Sequence, residues 1–471
     1  MTDQSATPTL RRSIGTRTAT ALVVGNMVGS GVFLLPAALA SEAGPVSIFA
    51  WVFTGLGAML LGLVFARLGR AIPRSGGPYA YAQRAFGDFV GFQTAWGYWI
   101  AVWAGNAAIA VAFAGYLSVY WPRAATGWVT ALIAISLVWI ATAANVAGVR
   151  EGGAVQVATT ILKFVPLLLI AVVGLFFIKT GNFHPFTIKH SGDRGINGAA
   201  ALTLWAFIGL ESATVAGGEV RDPERTLPRA TIYGTLAATL LYLIATVAIF
   251  GMIPTHALAH SNSPFADAAN VIFGGTWGGK AIAVVAMIST FGALNGWTLL
   301  QGRVPLAAAE DGLFPRRFAR VHGRSGTPVF GLVVSSVLVT ALLLLYLRSS
   351  LVNTFYNVIL LATLTTLVPY AYSAAAELYL LFQERALFSG KRLARDAIVS
   401  GLAFAYSAWA IWGAGEKTIA WGFMLLLAGI PVYVWLKWRQ SGRPSPATRI
   451  ETPASANGSS EESRTLVGAV D

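Results

Sequence analysis

Hydrophobic residues run along this chain in long blocks, with neither the strict alternation of a half-buried strand nor the narrow stripe of a helix on a soluble core. Twelve blocks, at 19–41, 47–67, 88–119, 126–148, 154–178, 197–218, 229–253, 280–302, 329–347, 353–382, 396–414 and 418–437, approach or exceed the roughly 20 residues that an α-helix needs to cross bilayer hydrocarbon. A segment in hydrocarbon must satisfy its own backbone amides, so the pattern predicts an all-α membrane protein of twelve transmembrane helices. Composition agrees, with 55% of the 471 residues hydrophobic and 11% charged and a mean hydropathy of +0.64. Residues 1–14 and 441–471 are polar and read as disordered tails around one helical domain, 15–440.

Two of the blocks are flawed as helices. The first contains VVGNMVGSGVF (23–33), with Gly25, Gly29 and Gly31 beside Asn26 and Ser30; the sixth contains TLWAFIGLESATVAGG (203–218), with Gly209 and Glu211 near its middle. Gly25 and Gly29 alone fit the GxxxG pattern by which membrane helices pack closely. Packing does not require a matching flaw five helices later beside a carboxylate. Paired interruptions in the first helices of two halves, 15–178 and 197–382, are the mark of an inverted repeat with a site at the bilayer midplane. A break at Gly29-Ser30-Gly31 leaves carbonyls near Asn26 and Met27 without helical partners and opens the next half-helix with the N–H groups of Ser30 and Gly31. A break near Ile208-Gly209-Leu210 adds carbonyls of Trp205 and Ile208. Free amides attract a carboxylate and free carbonyls an ammonium, so one pocket would complement both ends of an α-amino acid.

Charge adds orientation. Of 33 Lys and Arg residues, 25 fall on the side of the N-terminus, including Arg67, Arg70, Arg74 and Arg84; seven fall opposite, namely Arg123, Lys179, Lys189, Arg194, Lys280, Arg348 and Lys417. The positive-inside rule then puts both termini in the cytoplasm and accounts for the net charge of +13 without nucleic acid. The chain has no cysteine, which excludes disulfides and thiolate metal sites. His184, His190, His256 and His260 fall on outer loops and His322 inside, away from any histidine relay or metal cluster. Residues 19–40 followed by LASEAG imitate a signal peptide, yet the Gly-Ser-Gly interruption suits a signal core poorly. The loop 254–279 reads as carrying a short surface helix and 303–328 as an interfacial helix on anionic lipid, with membrane lipid as its partner. The Asn457 sequon sits in a tail. No phosphate loop, nucleophile elbow or carbonyl filter is present, so an enzyme or an ion channel is disfavoured, and no cofactor or metal is expected.

Two titratable groups lie deep in spans, Glu211 and Lys163, and a centred charge costs about 3 kcal/mol even on lenient insertion scales. For Glu211 the active reading is a proton-responsive switch, because burial favours the protonated form and an adjacent cationic substrate the ionised one; the alternative is a carboxylate held by structural hydrogen bonds. Lys163, ten positions into its span, either replaces a bound cation or snorkels to an interface.

Several stretches carry a resemblance: GNMVGSGVFLLPAALA (25–40), SGGPYAYAQRAFG (75–87), YWIAVWAGN (98–106), TLWAFIGLESATVAGGEVRDPERTLPRATI (203–232), NGWTLLQG (295–302), AAAEDGLFP (307–315), GTPV (326–329) and TLVPYAYS (366–373). Over nearly its whole length the chain resembles the amino acid–polyamine–organocation superfamily and, within it, the bacterial basic amino acid/polyamine antiporters, the arginine/agmatine exchangers in particular. The resemblance implies an inner-membrane secondary transporter for cationic amino acids, with a LeuT-like fold, a 5+5 inverted repeat and discontinuous helices 1 and 6. It implies a substrate carboxylate on Ser30 and Gly31 and an amine at the carbonyls of Met27, Trp205 and Ile208. The tail would meet Asn106 and the carbonyls around Ala101 and Val102, with Trp297 on its aliphatic part. Tyr98 and Trp205 resemble gating aromatics, Tyr370 resembles a tyrosine that closes the inner side, and Glu211 takes the switching role. Lysines like Lys163 resemble, in other superfamily members, a substitute for a sodium ion between spans 1 and 8. Ala362 stands where the arginine exchangers have a serine, and Ile109 where they have a methionine. Arginine/agmatine exchange by alternating access is therefore expected; a proton-coupled permease of broader range is the alternative, and a homodimer is left open.

Overall fold

The computed structural model describes residues 14–73, 76–148, 153–188, 192–215, 220–323, 325–388 and 393–441. The two tails, except Ile14 and Ser441, lie outside these, as do His190 and the Asn457 sequon. All regular structure among the described residues is helical, apart from one isolated parallel bridge between Ile14 and Val220.

In chain order the α-helices are α1 (Thr16–Met27), α2 (Ser30–Glu42), α3 (Ser47–Ala71), α4 (Pro78–Phe86), α5 (Asp88–Leu117), α6 (Gly127–Val146), α7 (Gly153–Gly174), α8 (Gly192–Trp205) and α9 (Ser212–Val215). They continue as α10 (Pro223–Met252), α11 (Thr255–Ala259), α12 (Pro264–Phe273), α13 (Trp277–Glu310), α14 (Val329–Leu345), α15 (Leu351–Gln383), α16 (Leu393–Gly413), α17 (Glu416–Leu427) and α18 (Gly429–Ser441). Every predicted block falls on a helix. Among the described residues nine helical runs are long and apolar enough to cross a membrane, α1–α2 and α17–α18 each counted as one, and α14 is one residue short of that length.

The order of elements repeats. A broken helix (α1/α2, then α8/α9) is followed by a long helix (α3, α10), a short insertion (α4, then α11 and α12) and three long helices (α5–α7, then α13–α15). Corresponding members face one another across the molecule: α3 packs along α10, and α5 along α13. Proline at the first helical turn starts α4, α10 and α12, where its missing N–H would have had no helical partner.

Two loop expectations change. Residues 303–310 are not an interfacial element, because α13 carries straight on through them to Glu310. The outer loop holds two short helices, and α12 buries Phe265, Ala266, Ala268 and Ala269 instead of lying on the surface.

At one end of α15 the fully buried Glu377 accepts a two-pronged ion pair from Arg67 of α3, with Arg67 Nη2 2.8 Å from Glu377 Oε2, and a hydrogen bond of 2.7 Å from Ser400 of α16. Three helices thus share one charged node. Removing one member of a buried pair strands the other charge, so Arg67→Leu should lower unfolding stability by about 3–5 kcal/mol. Arg67→Leu/Glu377→Leu should lose much less. Unfolding midpoints in detergent test this, and equal losses in both variants would show that the stranded charge is not the cause.

Candidate functional site

The first interruption is tighter than expected. Helix α1 stops at Met27, Val28 still bonds back to Val24 (2.7 Å), and the N–H of Gly29 turns onto the Met27 carbonyl (2.9 Å). Helix α2 begins at Ser30. The break is therefore Val28–Gly29, not Gly29-Ser30-Gly31, and the Ser30 and Gly31 N–H groups belong to the first turn of α2. The side chain of Ser30 lies outside the described residues.

The second interruption is longer. From Ala206 to Glu211 the chain turns through successive three-residue steps: Phe207 N–H bonds to Leu204, Ile208 to Trp205, Leu210 to Phe207 and Ser212 to Gly209, at 2.9–3.2 Å. The Ala206 carbonyl accepts from the Tyr242 hydroxyl (3.1 Å), and the Glu211 carbonyl from that of Thr214 (2.7 Å). The carbonyls of Met27 and Trp205, expected to await an amine, each already hold one internal hydrogen bond. A carbonyl has two lone pairs, so each can take a second donor.

The two breaks lean on one another at Gly209. Its φ is +113°, a conformation that in practice only glycine adopts, and a Cβ there would stand 3.1 Å from Asn26 Cβ and 3.3 Å from the Met27 nitrogen. Asn26 completes the junction by donating from Nδ2 to Ser212 Oγ at 2.8 Å.

Beside this junction lies a cavity of about 10 Å³, room for about one water molecule. Its walls include Asn26, Met27, Trp205, Ile208 and Trp297, all anticipated from sequence, together with Gly29 and Ile109. The end of the Trp205 ring is seated on Gly105 of α5, where a Cβ would come within 2.7 Å of it. Ala101, Val102, Asn106 and Ala362 are buried and are not among the cavity's walls.

Glu211 is fully buried and takes three donors. The Tyr98 hydroxyl of α5 bonds to Oε1 at 2.5 Å; the Tyr370 hydroxyl of α15 and the Gly209 N–H (3.1 Å) both meet Oε2. Of the four residues assigned to gating or proton response, Glu211, Tyr98 and Tyr370 are one cluster, while Trp205 lies apart from it on the cavity wall. Lys163 is buried on α7, its Nζ 3.9 Å from where a Cβ on Gly292 of α13 would be. The next residue, Ala293, is the nearest neighbour of Gly29, at 3.3 Å from its would-be Cβ. The Lys163 ammonium thus stays within the helix packing, one residue along α13 from the first break. Among the described residues no group of His, Asp or Glu could hold a metal ion.

Sequence reasoning missed Gln301 and Ser212. Gln301 follows Trp297 by one helical turn in NGWTLLQG, and that spacing is the signal that would have found it.

The amino acid permease profile matches residues 14–436. The chain belongs to the amino acid permease family. Among its relatives, a putative arginine/ornithine antiporter of Bacillus subtilis (strain 168) is 34% identical over 448 residues, 88% of this chain and 95% of the relative. A cadaverine/lysine antiporter of Escherichia coli (strain K12) is 35% identical over 372 residues, covering 77% and 82%. A putrescine transporter of Haemophilus influenzae is 31% identical over 430 residues, covering 90% and 97%. These place the permease among the basic amino acid/polyamine antiporters, a branch of integral membrane transporters within the superfamily that its motifs resemble.

The contact at Gly209 yields a direct test. Gly209→Ala should destabilise the permease by about 1–3 kcal/mol and abolish substrate exchange, read as a lower unfolding midpoint together with vesicle uptake. An unchanged midpoint would mean that the junction relaxes around a methyl group.

Proposed function

We propose that this permease exchanges a basic amino acid for a related amine or amino acid by alternating access, on a twelve-helix LeuT-like fold in a bacterial inner membrane with both termini cytoplasmic. The observation that carries the reading is the junction of the two broken helices at one cavity. In that reading the substrate carboxylate meets the Ser30 and Gly31 N–H groups at the start of α2, where the helix dipole favours an anion. The α-ammonium meets the carbonyls of Met27, Trp205 and Ile208. The cationic tail runs toward Asn106 and the Ala101 and Val102 carbonyls, with Trp297 against its methylenes and over its charge.

A cavity of about 10 Å³ is far below the ~300 Å³ or more usual for a small-molecule site. Loading therefore requires Trp205 or Trp297 to move, as a gate does. The relatives are named as exchangers or transporters of arginine and ornithine, lysine and cadaverine, and putrescine, so the substrate class is a basic amino acid or its decarboxylated amine. Arginine with agmatine is one such pair. Ala362 offers that pair no hydroxyl. The Lys163 ammonium takes the place of a sodium ion between α1 and α13, which makes transport independent of sodium.

Proteoliposomes test the reading. Labelled arginine uptake in sodium-free buffer is expected only when arginine, ornithine or agmatine is loaded inside. A second reading, a proton-coupled permease of broader range, is favoured by Lys163 and Ala362; uptake into empty vesicles driven by a pH gradient would establish it instead.

Glu211 supplies the proton response in this scheme. An ionised carboxylate accepts all three of its donors; once protonated it has a hydrogen of its own to place, so one phenol must turn or leave. Protonation thereby loosens the tie between α5 and α15. Glu211→Ala should retain arginine binding while its transport rate becomes flat across the acidic to neutral range. A variant keeping the wild-type pH profile would show that Glu211 has a structural role alone.

A further inference from the structure

One buried acceptor, a helical turn from the cavity wall, has no donor. Asn106 is fully buried on α5, and its Oδ1 has no hydrogen-bond partner among the described residues. Its Nδ2 donates to Gln301 Oε1 on α13 at 2.7 Å. Gln301 Nε2 in turn lies 2.9 Å from Ser336 Oγ and 3.4 Å from the Leu332 carbonyl of α14.

Which end of an amide is oxygen is set by its hydrogen-bond partners. Here the chain of bonds ends on a backbone carbonyl, which only accepts. The Ser336 hydroxyl spends its proton on Leu332 O (2.9 Å) or on Thr142 Oγ1 (2.6 Å). Turning Gln301 over would set its oxygen against the Leu332 oxygen. Its nitrogen therefore faces α14, its oxygen faces Asn106, and the Asn106 nitrogen must face Gln301. The one atom left over is Asn106 Oδ1.

The position of the pair gives this polarity a use. Ile109, three residues on from Asn106 and on the same face of α5, walls the cavity; so does Trp297, four residues before Gln301 on α13. Asn106 and Gln301, bonded to each other, thus lie one helical turn beyond two of the cavity's wall residues. We propose that Gln301 is a positioning residue for substrate selection: it holds the Asn106 amide oxygen-first toward the substrate tail, so the site accepts tails that donate hydrogen bonds and carry positive charge. This rests on the cationic-substrate reading above and adds the residue that enforces it. The ureido group of citrulline has an oxygen where the guanidinium has a second amino group, so it can meet this acceptor with only one of its two ends and brings no positive charge to it.

The test compares inhibition of exchange by arginine and by citrulline in vesicles. Gln301→Met frees the Asn106 amide to turn and should lower the arginine-over-citrulline preference about tenfold, the value of one hydrogen bond to a charged group. A carboxylate has oxygen at both ends and cannot present the wrong atom. Asn106→Asp/Gln301→Met should therefore recover the preference. With a wild type that prefers arginine, an unchanged ratio in Gln301→Met overturns the proposal, and so does a lowered ratio that the double variant fails to restore, since that is damage to packing alone. A wild type that prefers neither ligand would remove the cationic reading and this proposal with it.

Discussion

A helix that stops inside hydrocarbon must hand its amides and carbonyls to new partners, because no water is there to take them. This permease stops two helices at one place and lets them satisfy each other. Val28 and Gly29 close the first with a tight turn, six residues from Ala206 to Glu211 close the second with stacked turns, and Asn26 and Ser212 bond across the gap. The contact works only because Gly209 has no side chain: a Cβ would meet the backbone of Asn26 and Met27 at 3.2–3.3 Å. Met27 and Gly29 of the first break and Trp205 and Ile208 of the second line the same cavity, and on the proposed reading their remaining dipoles are what a zwitterion would use.

The second consequence concerns coupling. The break in the second half carries Glu211, and its carboxylate holds hydroxyls from α5 and α15, two helices that also pack along one another. One proton on Glu211 changes how many of these bonds can stand. The same six residues that form the second break therefore also hold a tie between α5 and α15. Substrate and proton would compete through the backbone around Gly209, without a longer pathway.

How much of this was legible in the sequence follows from what each feature depends on. The bilayer sets helix length and hydropathy, so every apolar block from 19–41 to 418–437 landed on a helix. Where a helix ends depends on other forces: α13 runs on past its apolar block to Glu310, since helical hydrogen bonding does not need hydrophobic side chains. The cluster of Gly25, Gly29 and Gly31 announced a break but not its residue; the chain turns at Val28–Gly29 and begins α2 at Ser30. Trp205 and Ile208 were legible because they lie in a motif beside a break, and Trp297 because it lies in the NGWTLLQG motif of the unbroken α13. The Glu211 bonds to Tyr98 and Tyr370, and the Asn106 bond to Gln301, join helices more than 100 residues apart. No local pattern encodes such pairings.

The closed cavity also bears on why a protein of this kind would exchange. Asn106 Oδ1 and Trp205 Nε1 are both buried without partners among the described residues. Each unpaired polar group costs about 1–3 kcal/mol relative to one that is hydrogen-bonded. An empty protein that passes through this closed state carries the cost of both; a loaded one offsets it by giving Asn106 a donor and Trp205 a neighbour. A difference of about 2 kcal/mol slows the empty return roughly thirtyfold relative to the loaded one. Obligatory exchange would then need no dedicated lock: two orphaned polar atoms would make the empty crossing the slow one.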